Sequence, residues 1–508
     1  MDTVKQTDAG TNTGFTTTKK ETRIGNAAPQ KLIGHGAHTN SGNSKKWTPL
    51  HYAAKAVYTE AASTLINNGA NIRARSSERQ TPLHVAAKYG NLRAVQCLLN
   101  ADAEINCFDS KGWAPLHYSA QKGHTEIVKH LLAGGANANF EGNYKETPLN
   151  LAARKGQTDA VRCLINETTT LDLQDSNGWT ALHYASLNGF EAIVTLLIAH
   201  KANVNGLTNR QETPLHFAAK KGHTEIVKLL LDSSVMVDCQ DWHGWTPLHY
   251  ATRKGHSSLV HLLLVRGANI NVTTNEKLTP LHFAARHSRI GCLKHLINQS
   301  TAVVDCADNN GWTPLHFAAY LGCSEVLNLL LDAGANPGAV TVVGETAFHL
   351  AIYKNCSEII SRLFDAVPVD QPDGHGWTAL HYAAKFGQLS VAQRLLAAGA
   401  KVNAVTHQME APLHFAAREG HRSVVEYLLT QEAAVNGVTV DEWTPLHMAA
   451  FHNHPNVVQL LLVHGARVDA VTDSGSTARR LAEVANNMDV VECLDNFGEQ
   501  CDQLLTRR

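Results

Sequence analysis

The sequence contains no run of 18 apolar residues, and its first fourteen residues, MDTVKQTDAGTNTG, contain no apolar stretch. A transmembrane helix needs about 20 apolar residues and a secretion signal needs an apolar core, so we expect neither. The ten cysteines include no C-x-x-C pair, and we interpret them as buried free thiols of an intracellular protein. The expected location is therefore the cytoplasm, although the nucleus or the cytosol of a host cell would fit the same sequence.

Sequence motifs for catalysis are also absent. The chain has no G-x-x-x-x-G-K-[ST], G-x-G-x-x-G, H-E-x-x-H or G-x-S-x-G pattern. We therefore predict a protein that is not an enzyme, with no catalytic residues, no cofactor and no metal site. The formal net charge of −1 gives no overall attraction to nucleic acid or to a membrane surface, so any electrostatic recognition must be local.

A phrase of the form T-P-L-H-x-A recurs along the chain at an almost constant interval. Its threonine is Thr246 in the segment GWTPLHYATRKGH. Apart from one interval of 34 and one of 32, equivalent positions are 33 residues apart, at Thr48, Thr81, Ala114, Thr147, Thr180, Thr213, Thr279, Thr313, Thr346, Thr378, Ala411, Thr444 and Thr477. This period and phrase are typical of ankyrin repeats, and the chain resembles the ankyrin-repeat family over nearly all its length. The resemblance implies an all-α solenoid of helix-turn-helix pairs with β-hairpin fingers, elongated and curved.

The residues of a single repeat favour two antiparallel helices. Thr213 is a good N-cap, Pro214 fits the first helical turn, and Gly222 can take the left-handed conformation that ends the first helix. Along the chain we predict a disordered arm over residues 1–30 and a degraded partial repeat or N-terminal cap over 31–47. About 14 repeats follow over 48–498, the last of them a capping repeat, and residues 499–508 form a tail.

Tryptophan marks every second repeat. Seven of the eight tryptophans directly precede the repeat threonine, at Trp47, Trp113, Trp179, Trp245, Trp312, Trp377 and Trp443. The fingers alternate in step, with D-x-x-G-W at Asp109, Asp175, Asp241, Asp308 and Asp373 and a threonine at the same place at Thr208, Thr274, Thr341, Thr406 and Thr472. Duplication of a 66-residue unit would explain this pattern, and so would a periodic binding surface.

The resemblance implies that the residue before the threonine, and the two residues before the glycine of the first helix, face a concave groove where family members hold partners. These helix positions contain thirteen basic residues against a single acid, Glu419, and the basic residues are densest from Arg154 to Arg286. Basic residues between aromatic ones suit an acidic or phosphorylated ligand. We predict a monomeric scaffold or adaptor that binds a protein partner through Trp113, Trp179, Trp245, Trp312, Trp377, Arg154, Lys155, Lys220, Lys221, Arg253 and Lys254.

Other interpretations remain open at this point. Exposed lysines can simply solvate a helix, and a stripe of them can attract nucleic acid or anionic lipid, although we disfavour nucleic acid. The chain can also be an ankyrin-repeat effector or toxin-like module that an intracellular bacterium delivers into a host cell.

Histidine is abundant, and twelve of the 29 histidines occupy the T-P-L-H position. Stacked repeats are about 8–10 Å apart, so neighbouring rings cannot share an ion bound at about 2 Å. We therefore predict a structural role, in which each ring hydrogen-bonds the threonine hydroxyl or nearby backbone and joins adjacent turns.

Overall fold

The computed structural model describes residues 38–56, 59–165 and 169–506. Within these ranges the regular secondary structure is 28 α-helices, and there is one isolated bridge between Val471 and Thr477. No helix in the described ranges is both long enough and apolar enough to cross a membrane. The chain divides into two compact units, Met1–Tyr250 and Ala251–Arg508, which are described separately.

The helices alternate between the first and the second helix of a repeat. In the first unit they are α1 (Pro49–Lys55), α2 (Thr59–Asn67), α3 (Pro82–Tyr89), α4 (Leu92–Asn100), α5 (Pro115–Lys122), α6 (Thr125–Ala133), α7 (Pro148–Lys155), α8 (Thr158–Leu164), α9 (Ala181–Asn188), α10 (Glu191–Ala199), α11 (Pro214–Lys221), α12 (Thr224–Leu231) and the start of α13 (Pro247–Lys254). The fourteen helix pairs confirm the predicted number of repeats.

The second unit continues the same alternation after the end of α13. Its helices are α14 (Ser257–Val265), α15 (Pro280–Arg286), α16 (Ile290–Ile297), α17 (Pro314–Leu321), α18 (Ser324–Asp332), α19 (Ala347–Tyr353), α20 (Ser357–Leu363), α21 (Ala379–Lys385), α22 (Leu389–Ala397), α23 (Pro412–Arg418), α24 (Arg422–Thr430), α25 (Pro445–Phe451), α26 (Pro455–Val463), α27 (Ala478–Val484) and α28 (Met488–Thr506).

The predicted start and stop signals of the first helix hold in α11. Thr213 is the N-cap in an extended conformation, with φ of −92°, and Pro214 occupies the first helical position. Gly222 ends the helix in the left-handed region at φ of +79°. Leu215 is fully buried, and its helix α11 packs against α9, the first helix of the preceding repeat. One repeat therefore relies on its neighbours to cover its apolar face.

The fingers are hairpin turns without strand-length pairing. In one finger the Asp241 amide donates to the Trp245 carbonyl at 2.9 Å, and Gly244 donates to the Asp241 carbonyl at 2.8 Å with φ of +76°. Adjacent fingers are joined through their tips, where the Trp242 amide donates to the Arg210 carbonyl at 3.1 Å. These bonds fix the orientation of the residue that precedes each first helix.

The structure describes part of the predicted N-terminal cap and most of the predicted C-terminal tail. The predicted arm over 1–30 and residues 31–37 of the predicted cap lie outside the described residues. Residues 38–47 form turns, and Asn40 accepts a hydrogen bond from the Asn71 amide of the next finger at 2.6 Å. At the other end, helix α28 runs through Gly498 to Thr506, so it includes most of the segment predicted as a tail.

Candidate functional site

The candidate site is the row of residues that directly precede the repeat threonines, together with the basic residues at the ends of the first helices. An aspartate holds five of the seven tryptophans of this row. Asp241 Oδ1 accepts from the Trp245 amide at 2.8 Å and from the His243 amide at 2.9 Å. In the repeats between, a threonine replaces the aspartate, and Thr208 Oγ1 accepts from the Glu212 amide at 3.1 Å. Both repeat types therefore position the row by the same backbone contact.

The second carboxylate oxygen of the aspartate has a partner that the sequence analysis did not predict. Asp241 Oδ2 accepts from the hydroxyl of Tyr250, which directly follows the repeat histidine, at 2.7 Å. The corresponding pairs are Asp109–Tyr118 at 2.6 Å, Asp175–Tyr184 at 2.5 Å and Asp373–Tyr382 at 2.9 Å. Burial and the neighbouring carboxylate raise the pKa of Tyr118, Tyr184 and Tyr382, so the tyrosine is the donor.

Each tryptophan of these repeats packs on its own tyrosine. The ring centroids of Trp245 and Tyr250 are 5.0 Å apart. Aspartate, tryptophan and tyrosine therefore form one contact group, and all three alternate with the 66-residue period. The tyrosine was detectable in the sequence, because the residue after the histidine is tyrosine in five of the seven tryptophan repeats and in none of the others.

The packing leaves the predicted tryptophans with little free surface. Trp113 is only 8% exposed, whereas Trp179, Trp245, Trp312 and Trp377 are half-buried. Trp179 also contacts Phe217 of the following repeat, with ring centroids 4.3 Å apart. Much of each indole is thus used within the protein, and only part of each of the last four rings is available to a partner.

Glutamates occupy the row between several of the tryptophans. Trp113 Nε1 donates to Glu146 at 2.5 Å, Tyr382 donates to Glu345 at 3.3 Å, and Glu410 forms an ion pair with an arginine. Glu212 is different, because it is 8% exposed and no hydrogen-bond donor contacts its carboxylate among the described residues. Burial raises the pKa of Glu212, Glu345 and Glu410.

The predicted basic residues lie beside aromatic rings in the first unit. The Arg154 guanidinium lies over the Tyr184 ring at 5.7 Å, and Lys220 Nζ lies over the Tyr250 ring at 5.1 Å. Lys155 and Lys221 are exposed. In each pair one cation therefore packs on a ring of the next repeat, while its neighbour extends into solvent.

The second unit contains the remaining predicted cations. Arg253 and Lys254 are exposed at the end of α13. The closest approach of a helix-end lysine to a tryptophan of the row is in this unit, where Lys385 Nζ lies 4.9 Å from the Trp377 ring. The structure thus divides the predicted residues between the two units, and partner binding by these residues stays a prediction.

The repeat histidines confirm the predicted structural role. The Thr213 amide donates to His216 Nδ1 at 3.0 Å, so Nε2 carries the proton and donates to the carbonyl of Trp245 in the next repeat at 3.0 Å. Burial lowers the pKa of His216 to about 4. In the described ranges, no group of three or more His, Cys, Asp or Glu side chains is placed to hold a metal ion.

Two repeats depart from this histidine contact. Asn150 replaces the histidine and donates to the carbonyls of Leu173 and Trp179, but its Oδ1 has no partner in the described structure. His349 keeps its bond from the Thr346 amide, whereas its Nε2 has no partner in that structure. The interval of 32 residues that follows Thr346 is one residue shorter than the usual 33.

Comparison with known proteins agrees with this repeat architecture. A family model described as ankyrin repeats in three copies matches residues 22–109, 65–141, 116–208, 200–274, 254–341, 334–406 and 405–472. The chain is also similar to the human protein "Ankyrin repeat domain-containing protein 39", with 57% identity over 37 residues. That segment is 7% of this chain and 20% of the relative, so the similarity concerns the repeat unit and not the whole relative.

Proposed function

Because the chain belongs to the ankyrin-repeat family, whose members are generally non-enzymatic interaction modules, we propose that it is a scaffold with a protein partner in the groove formed by its first helices and fingers. The observation that carries this proposal is the group of cations at the ends of α7 and α11, where Arg154 and Lys220 pack on tyrosine rings of the next repeats. There Lys155 and Lys221 are exposed beside cations that already pack on tyrosines.

The charges and rings of this segment favour a partner segment with acidic or phosphorylated side chains. The cations would supply charge pairs, and the free parts of Trp179 and Trp245 would supply apolar contact area. We propose a cytoplasmic location and a monomeric state for the free protein.

The glutamates of the row argue against a polyanion as the main ligand. Glu212 is buried and Glu146 is half-buried in the same row as the tryptophans, so a continuous phosphate backbone would approach two carboxylates there. A protein partner can instead place a donor opposite Glu212 and acidic groups opposite the lysines. This local alternation of charge favours a folded or peptide partner over nucleic acid.

Site-specific crosslinking tests the proposed groove. A photoreactive amino acid is introduced at Lys155 or Lys221, and at Lys129 as a control, and crosslinked partners are identified from cell lysate. Lys129 is exposed on a second helix, where it pairs with Glu126 at 2.7 Å. We expect one partner to be crosslinked from Lys155 and Lys221 and not from Lys129. Equal crosslinking from all three positions would contradict groove binding.

A pair of substitutions then tests the tryptophans. Trp179→Ala combined with Trp245→Ala is expected to weaken binding of that partner by at least about tenfold, since buried aromatic anchors commonly contribute 2 kcal/mol or more. The control is Trp242→Ala at a finger tip, because Trp242 is 55% exposed and lies outside the row. Circular dichroism must show that both variants remain folded. Undiminished binding by the folded double variant would refute the groove model.

A further inference from the structure

The last tryptophan repeat lacks the contact group found in the repeats of Trp113, Trp179, Trp245 and Trp377. Thr439 replaces the aspartate of the finger, and Met448 replaces the tyrosine after the histidine. Thr439 Oγ1 still accepts from the Trp443 amide at 3.1 Å, so the tryptophan keeps its backbone position. Its ring instead meets Phe451 edge-on, with centroids 5.6 Å apart and an interplanar angle of 82°.

A cavity of about 290 Å³ opens beside this altered group. Trp443, Met448 and Phe451 form its apolar wall, and Glu410, Asp441 and Arg418 are among its polar lining. Elsewhere in this unit the tyrosine lies against the tryptophan, as in the pair Trp377–Tyr382 with centroids 5.3 Å apart. The volume is at the small end of the roughly 300–1,000 Å³ of sites for drug-sized molecules, so it suits a single long side chain.

The lining of this cavity carries more acidic than basic side chains. Arg418 is already paired, because its guanidinium lies 3.4 Å from Glu410 and 3.2 Å from Glu419. Asp441 is exposed, and its carboxylate has no ion pair or hydrogen bond to a side chain within residues 169–506. Burial, followed by the charge of Arg418, lowers the pKa of His452, so that ring is neutral at pH 7. Carboxylates therefore outnumber cations around the cavity.

We propose that this cavity, which we call the Trp443 pocket, binds one arginine side chain of a protein partner. A planar guanidinium can stack on an indole or phenyl ring while its N–H groups face a carboxylate. Asp441 supplies the unpaired carboxylate, and Trp443 and Phe451 supply the rings. The proposal does not rest on the groove proposed above, because its residues are different and its ligand has the opposite charge.

The first test uses Nα-acetyl-arginine amide as a probe of the full-length protein. The chain labelled with ¹⁵N-tryptophan gives at most eight indole N–H signals, and Trp443→Phe identifies the signal of Trp443. We expect the probe to shift this signal with a dissociation constant on the order of 1–10 mM. Nα-acetyl-citrulline amide, which has nearly the same shape without the charge, should bind about tenfold more weakly. Equal binding of the two compounds would overturn the proposal.

Variants of the altered repeat give the second test. Thr439→Asp combined with Met448→Tyr restores the group that four of the other tryptophan repeats carry, so it should fold and fill the pocket. We expect it to abolish the shift of the Trp443 signal. Asp441→Asn should weaken binding about threefold, and Asp473→Asn, in the exposed finger of the next repeat, should not change it. An undiminished shift in the restored variant would overturn the proposal.

Discussion

Mild acid is expected to unfold this protein through its repeat histidines. In each contact the imidazole Nδ1 accepts a backbone N–H, so a proton added there would meet a donor inside a buried site. Burial lowers the pKa of these rings to about 4 at His84, His117, His183, His216, His349 and His381. The same groups in an unfolded chain titrate near 6.5.

The sign of the effect follows from these two values. Between pH 4 and pH 6.5 the unfolded chain binds more protons than the folded chain, so the free energy of unfolding rises with pH. The stabilisation is complete above about pH 6.5 and is lost as the pH falls toward 4. From pH 7.5 to pH 5.5 each histidine should lose about 1.3 kcal/mol. Four of the six lie in the first unit, which should therefore lose about 5 kcal/mol.

Urea unfolding followed by circular dichroism at pH 7.5, 6.5 and 5.5 measures this loss, and hydrogen exchange at the same pH values separates the two units. His216→Asn imitates the natural Asn150 contact and should reduce proton uptake on unfolding by about 0.9 proton at pH 5.5. The matched control is His200→Asn, an exposed ring that directly follows α10 and hydrogen-bonds the carbonyl of Leu196 in that helix. Equal urea midpoints at pH 7.5 and pH 5.5 would refute the reasoning.

Four substitutions should change stability in predictable directions, each measured by urea unfolding. Glu212→Gln should stabilise the protein by roughly 1 kcal/mol at pH 7.5 but not at pH 4. Burial raises the pKa of this carboxyl because the charged form is unfavourable in the folded protein, and the glutamine removes that charge only where the glutamate would carry it. An equal gain at both pH values would contradict this cause. Tyr250→Phe should lower the free energy of unfolding by about 1–3 kcal/mol, because Asp241 Oδ2 loses its donor. Phe317→Tyr should raise it by about 1 kcal/mol, because it supplies the equivalent donor in its own repeat. Asn150→His should stabilise the protein by about 1 kcal/mol at pH 7.5 and make its repeat sensitive to acid. An unchanged pH dependence of the free energy of unfolding would contradict the proposed role of the histidine contact.

The helices could be predicted from the sequence because their signals are local. Thr213, Pro214 and Gly222 act on the backbone of their own helix, so their order in the chain determines its start and end. The role of the repeat histidine could be predicted for a related reason, since the distance between stacked repeats rules out a shared metal ion. Period and local chemistry together predict the scaffold without reference to its surface.

The exposure of the candidate site residues could not be predicted in this way, because it depends on residues about 33 positions away. Trp179 is covered partly by Phe217, and Trp113 hydrogen-bonds Glu146. The predicted binding site consists of tryptophans and of cations at the helix ends, and its charge was counted only at those ends. The glutamates of the row are visible in the sequence at Glu146, Glu212, Glu345 and Glu410, but the burial of Glu212 is not.

The contacts within each tryptophan repeat also bear on the cause of the two-repeat alternation. Asp241, Trp245 and Tyr250 alternate together because one carboxylate orients the tryptophan and binds the tyrosine, so loss of one member removes a partner of the others. This internal constraint explains the alternation without a ligand. Partner recognition is therefore better sought where side chains are not used within the repeat. The exposed lysines of α7 and α11 meet that condition, and so does the pocket beside Trp443, where the contact group is absent.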